Sequence, residues 1–118
     1  MSQMTSSILR ALGLAVVAGV LLAPAVRAEE PDAAKIFKTQ CAFCHGKQGT
    51  PLPALAKQGV RDFADPEWQK STSDEELQTV IKEGTKGTLM RGFEKQLSAE
   101  EIDALVAYVR QIGKTKKD

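Results

Sequence analysis

The order of residues predicts an all-α domain, and three observations carry that expectation. Two stretches open on a serine followed three residues later by a glutamate: Ser73-Asp74-Glu75-Glu76 and Ser98-Ala99-Glu100-Glu101. In this pattern the serine oxygen accepts from a first-turn amide while the glutamate reaches back to the serine N–H, so two unpaired helix donors are satisfied together. The apolar residues that follow each box recur three and four positions apart, the period of a helix face. Beyond the first 28 residues there is no convincing strand, repeat or low-complexity segment.

Residues 1–28 read as a cleavable export signal. Arg10 closes a short polar start, Ala11 to Ala23 is an unbroken run of apolar or small residues, and Val26-Arg27-Ala28 offers small side chains where a signal peptidase cuts, before Glu29. From Ala11 to Val26 the apolar stretch is 16 residues, short of the ~20 that a spanning helix needs. No cysteine is placed to take a lipid anchor. No stable membrane insertion is therefore expected after cleavage.

Residues 29–118 then form one domain of 90 residues, the 118 of the chain less these 28. Without Arg10 and Arg27 the 16 lysines and arginines fall to 14, against 15 aspartates and glutamates. So balanced a charge excludes the basic excess that a nucleic-acid partner would call for. A domain this small buries a modest core and gains from a bound group to pack around.

Asp32 is placed to cap a helix running into residues 41–45, with Ala33, Phe37 and Cys41 on one face. Gly46 to Pro53 is turn chemistry, two glycines and two prolines in eight residues, from which Leu52 and Leu55 could turn inward. Asp65-Pro66-Glu67-Trp68 predicts a single helical turn with proline near its first position; the rest of 56–72 has little pattern. The helix after Ser73 carries Leu77, Val80 and Ile81 and ends at Gly84. A flexible loop, Thr85 to Gln96, holds Met90. The helix after Ser98 carries Ile102, Leu105, Val106, Val109 and Ile112 and is expected to stop near Gly113.

The chemistry concentrates in Cys41-Ala42-Phe43-Cys44-His45. These are the only cysteines and the only histidine of the chain. C-x-x-C-H is the pattern by which a c-type haem is attached covalently. Thiols three residues apart lie on one side of a helical turn and can reach two neighbouring vinyl groups of one porphyrin, while the adjacent imidazole supplies a proximal iron ligand. A structural zinc site would need a fourth ligand that the chain lacks. A thioredoxin-like pair would need a βαβ setting, and a plain disulfide leaves the histidine unexplained.

A CAFCH motif after a short helix, one methionine in a late loop and a terminal amphipathic helix together resemble the class I c-type cytochromes, from about Asp32 to Ile112. The resemblance implies the cytochrome c fold, three to four short helices wrapped around one covalently bound haem c held through Cys41 and Cys44. Phe37 matches the family's aromatic on the first helix, and Leu105 and Tyr108 its Leu-x-x-Tyr on the last. Ala33 stands where the family usually has glycine, which implies a slightly wider helix crossing. Met90, the only methionine after residue 28, matches the sixth iron ligand, although Arg91 follows it where many relatives have proline. Pro53-Ala54-Leu55 looks like the family's Pro-x-Leu, whose proline carbonyl receives the proton of the proximal histidine. Trp68 is matched to a haem-propionate donor.

The function implied is a periplasmic one-electron carrier with His45 and Met90 as axial ligands. It would be a monomer and not an enzyme, exchanging electrons with protein donors and acceptors. Two alternatives differ in class: a haem-based ligand sensor or weak peroxidase with a labile sixth ligand, and a haem subunit permanently docked to a dehydrogenase. If the haem edge emerges between the attachment motif and the Met90 loop, Lys47, Lys86, Arg91 and Lys95 surround it, with Glu94 among them. The acidic residues gather elsewhere.

Overall fold

The computed structural model describes Gly13, residues 15–25 and residues 29–115. The start of the expected export signal and its cleavage residues, 26–28, lie outside the described residues, as do 116–118. Residues 15–25 take no regular structure, and Val16, Val17, Val20, Leu21 and Leu22 are 80–97 % exposed. Among the described residues no helix is long and apolar enough to cross a membrane.

The domain is all-α. Helix α1 (Ala33–Ile36) runs through a π-helical turn (Phe37–Cys41) into α2 (Ala42–His45). Three further helices follow: α3 (Pro53–Ala56), α4 (Pro66–Ser71) and α5 (Asp74–Glu83). The long C-terminal α6 spans Ala99–Thr115. No strand forms among the described residues; the one extended pairing is an isolated antiparallel bridge between Gly84 and Arg91.

Asp32 caps the first helix by accepting from the Lys35 N–H at 3.0 Å. The π-helical turn then departs from the uniform helix expected here. The Thr39 hydroxyl donates to the carbonyls of Lys35 (3.0 Å) and Ile36 (3.3 Å), occupying acceptors that α-helical amides would otherwise use. The Ala42 amide correspondingly bonds back to Phe37, five residues earlier. Gly46 ends the run with φ +82°; a Cβ there would lie 2.0 Å from the Thr50 carbonyl oxygen, so the chain can turn sharply after His45 only at glycine.

Both capping boxes form. Ser73 and Glu76 bond each other's amides at 3.1 and 2.7 Å, and Ser98 and Glu101 do so at 3.2 and 2.8 Å. Helix α5 ends at Gly84 as its sequence implies. Helix α6 runs two residues past Gly113, which is buried inside it. Here glycine serves close approach, because a Cβ at Gly113 would stand 2.7 Å from the Gln69 side chain. Helix α4 is longer than the single turn expected, and α3, which starts at the last residue of the turn stretch, has no counterpart in the sequence-based reading.

The core is one cluster of Phe37, Phe63, Leu77, Leu105, Val106, Val109 and Ile112, with Tyr108, Trp68, Ile81 and Cys41 packed against it. Phe37 and Leu105 are each 2 % exposed, and burial on that scale stabilises by about 1.5–3 kcal/mol per side chain. The rings of Phe37 and Tyr108 meet at 5.1 Å, which holds the first helix against the last. Val80, expected on the buried face of α5, is 37 % exposed. Opposite the attachment motif in sequence, Arg110 binds the Gln69 carbonyl (2.7 Å), the Gln69 side-chain oxygen (2.8 Å), the Thr72 carbonyl and Asp74 (2.8 Å). That half-buried guanidinium ties α6 to the end of α4 and the start of α5.

Candidate haem-binding site

Cys41, Cys44 and His45 come from consecutive helical turns, with Cys41 on the inner side where it packs against the core. Both thiols are free and half-buried. Burial, and secondarily the neighbouring Cys44 thiol, pushes the Cys41 thiol up to about 11.

His45 is fixed from two directions. Its Nδ1 lies 3.1 Å from the Arg61 carbonyl; a carbonyl only accepts, so Nδ1 carries the proton and Nε2 keeps its lone pair for a metal. The ring stacks on Phe63 at 4.3 Å and 17°. Burial lowers the imidazole pKa, with the Arg61 bond opposing that shift, so the ligand form is favoured. The loop that carries Arg61 and Phe63 is itself closed. Phe63 N–H donates to the Gly49 carbonyl at 2.9 Å, and Asp62 accepts from the Thr50 hydroxyl (3.1 Å) and the Ala64 amide (2.9 Å).

The sequence-based pairing of His45 with Pro53 is not the one seen. The Pro53 carbonyl receives the Lys57 amide at 3.1 Å, inside its own helical turn, and the histidine proton goes to Arg61 instead. The physical reason is that Pro53 begins α3, which directs its carbonyl along the helix. Trp68 is half-buried against Phe63, ring centroids 5.1 Å apart. Its indole N–H meets no hydrogen-bond acceptor among the described residues.

Met90 sits in a loop closed at its base. The Thr85 amide donates to the Met90 carbonyl (2.9 Å), and Phe93 and Glu94 amides donate to Ile81 (2.9 Å) and Lys82 (3.1 Å). The Thr88 hydroxyl accepts from the Met90 amide (3.2 Å) and donates to the Thr85 carbonyl (2.8 Å). Gly84, at φ +77°, has the Met90 carbonyl oxygen 2.6 Å from where a Cβ would be. Only glycine lets the two arms cross this closely. From this loop Arg91 reaches Gln40, the residue before Cys41, at 3.4 Å. The methionine loop thus lies beside the attachment segment, although the contacting residues Arg91 and Gln40 are 51 positions apart in sequence.

These residues fit a haem. Two thiols on one helical run, an imidazole with its far nitrogen already protonated and a thioether on an adjoining loop are the donors of that group. Leu52 and Leu89, on the loops that follow His45 and precede Met90, are 69 and 73 % exposed, apolar side chains suited to a porphyrin face. Among the described residues no cluster of three or more His, Cys, Asp or Glu could hold a bare metal ion. Arg61, Phe63 and Gln40 were not legible as site residues. A backbone acceptor leaves no mark in sequence, and an aromatic in a pattern-poor stretch points nowhere by itself.

Known proteins bear on the same residues. The family described as cytochrome c oxidase, cbb3-type, subunit III matches residues 28–109. Cytochrome c6 of Nostoc sp. is 31 % identical over 107 residues, covering 91 % of this chain and 90 % of that protein. The dihydro-heme d1 dehydrogenase of Pseudomonas aeruginosa is 32 % identical over 105 residues; the match covers 87 % of this chain but only 19 % of that larger protein. Among solved structures, the KustC0563 c-type cytochrome is 42 % identical with a TM-score of 0.63, covering 69 % of this chain and 96 % of its own. A mutant of that cytochrome superimposes with a TM-score of 0.62 at 43 % identity, covering 69 % of this chain and 98 % of its own.

Proposed function

The chain is a class I c-type cytochrome, a member of the family described as cytochrome c oxidase, cbb3-type, subunit III, and from that premise we propose that it is a periplasmic one-electron carrier with His45 and Met90 as axial ligands. The observation that carries the proposal is the contact between Arg91 and Gln40, which sets the Met90 loop against the segment bearing Cys41, Cys44 and His45.

Each residue has a distinct task. Cys41 and Cys44 hold the haem by thioether bonds. His45 coordinates through Nε2, and the Arg61 carbonyl fixes its tautomer and raises its donor strength. Met90 fills the sixth position with a weak thioether donor that favours the ferrous state. Trp68, packed on Phe63, would donate its indole N–H to a haem propionate. The bound haem supplies one reversible electron at iron. Two filled axial positions leave no place for substrate, so exchange with protein partners at the haem edge is the proposed activity, without enzymatic turnover. Residues 1–28 would direct export, and the remainder would act as a monomer.

The similarity to one fifth of a dehydrogenase favours a second reading, a haem domain docked permanently to a larger enzyme. Co-purification with such a partner at physiological salt is its test. For the carrier, ligand entry is decisive. The reduced wild-type protein should resist carbon monoxide, whereas Met90→Ala should bind it promptly with haem still covalently attached. Equal carbon monoxide binding by both proteins would contradict the assignment of Met90.

A further inference from the structure

Arg91 stands next to the proposed sixth ligand, and three of its interactions converge. Its backbone pairs with Gly84 in the antiparallel bridge that closes the loop. Its guanidinium lies over the Phe93 ring, 4.9 Å from the centroid, and Phe93 is buried at 4 % exposure. Its Nη2 donates to the Gln40 side-chain oxygen at 3.4 Å. Gln40 is the residue before Cys41 and belongs to the π-helical turn. The side chain is therefore anchored at its base by backbone, steadied midway by an aromatic face, and joined at its tip to the attachment helix.

We infer that Arg91 is a positioning residue: with Gln40 it latches the Met90 loop to the haem-attachment helix and so sets how readily the sixth ligand yields. The inference rests on Met90 being that ligand. The loop's other bonds close it onto itself or onto the end of α5, so they shape it without joining it to the Cys41 segment. Among the described residues the Arg91–Gln40 bond is the side-chain hydrogen bond that crosses from one to the other. Both partners are exposed, and the bond is long, so the effect on ligand exchange should be modest. Loosening the latch would favour the Met90-off state without removing any ligand. The planar guanidinium suits this double duty because it stacks on an aromatic ring while donating from its edge. Lysine keeps the charge but not that geometry.

The test uses the ferric holoprotein and imidazole as the competing ligand. Wild type, Arg91→Ala, Gln40→Ala, the double variant and Arg91→Lys are titrated by absorption, and the weak far-red band of iron–thioether ligation is recorded before imidazole is added. Arg91→Ala and Gln40→Ala should each bind imidazole roughly two- to tenfold more tightly than wild type, as loss of one charge-assisted bond implies. The double variant should match the larger single effect, because the two residues form one contact, and Arg91→Lys should fall between. Affinities equal to wild type with the far-red band intact would overturn the latch and leave Met90 ligation standing. Fully additive single effects would also overturn it, since the residues would then act separately. A wild type lacking the band, with imidazole affinity indifferent to Met90→Ala, would remove the methionine reading and the latch with it.

Discussion

The two sides of the candidate site are held in different ways. The attachment segment is fastened to the core: Phe37 is buried against Tyr108, and His45 lies between the Phe63 ring and the Arg61 carbonyl. The Met90 loop is packed only at one arm, where Phe93 is buried. Leu89 is largely exposed, and the loop is shaped by backbone bonds across a glycine crossing and by the Thr88 hydroxyl within it, with one long side-chain contact to the attachment segment. A packed ligand is costly to move, while a ligand on a self-closed loop can be displaced locally. With His45 and Met90 as the proposed ligands, the fold would separate a permanent anchor from an adjustable ligand.

Breaking the anchor should have the largest effect. Cys44→Ala should leave little mature holoprotein, since covalent attachment is expected to be coupled to folding; normal accumulation of protein with haem joined at both vinyl positions would break the motif reading outright. Next comes Phe63→Ala, which removes the ring under His45 and a member of the core. A loss of about 3–5 kcal/mol in denaturant unfolding is expected, and a loss below ~1 kcal/mol would show that His45 is not held by packing.

On the loop side, Gly84→Ala forces an unfavourable backbone at φ +77° against the Met90 carbonyl. Strain of about 1–3 kcal/mol is expected, expressed chiefly as a weaker far-red band and easier imidazole entry. Equal disturbance of global unfolding and ligand entry would erase the distinction between the two sides. The smallest effect concerns encounter rather than structure. Lys86 and Lys95 are both exposed, whereas Glu94 lies 3.8 Å from Lys82. Lys86→Glu with Lys95→Glu should slow association with an acidic redox partner and flatten its ionic-strength dependence, leaving the potential nearly unchanged. Superimposable rate-against-salt curves would place docking elsewhere.

The parts legible in sequence are those governed by local rules. Capping boxes, helical periodicity and the attachment motif each reside in a few adjacent residues, so α5, α6 and the Cys41–His45 segment were foreseeable. The exact acceptor for His45 was not, because Arg61 acts through a carbonyl that every residue possesses. The π-helical turn, where the Thr39 hydroxyl bonds the Lys35 and Ile36 carbonyls, has no mark in composition. Gly113 looked like a helix end; its meaning, room for Gln69, exists only once α4 and α6 meet. The half-buried Arg110 network likewise joins residues some forty positions apart and has no local signature.

The proposed function turns on Met90 completing the coordination begun by His45. Its most direct measurement is the far-red absorption of the purified ferric protein, compared between wild type and Met90→Ala at neutral pH. Wild type should show the weak thioether band and Met90→Ala should lack it, with covalent haem retained in both. An identical spectrum in the two proteins, with or without that band, would contradict Met90 ligation.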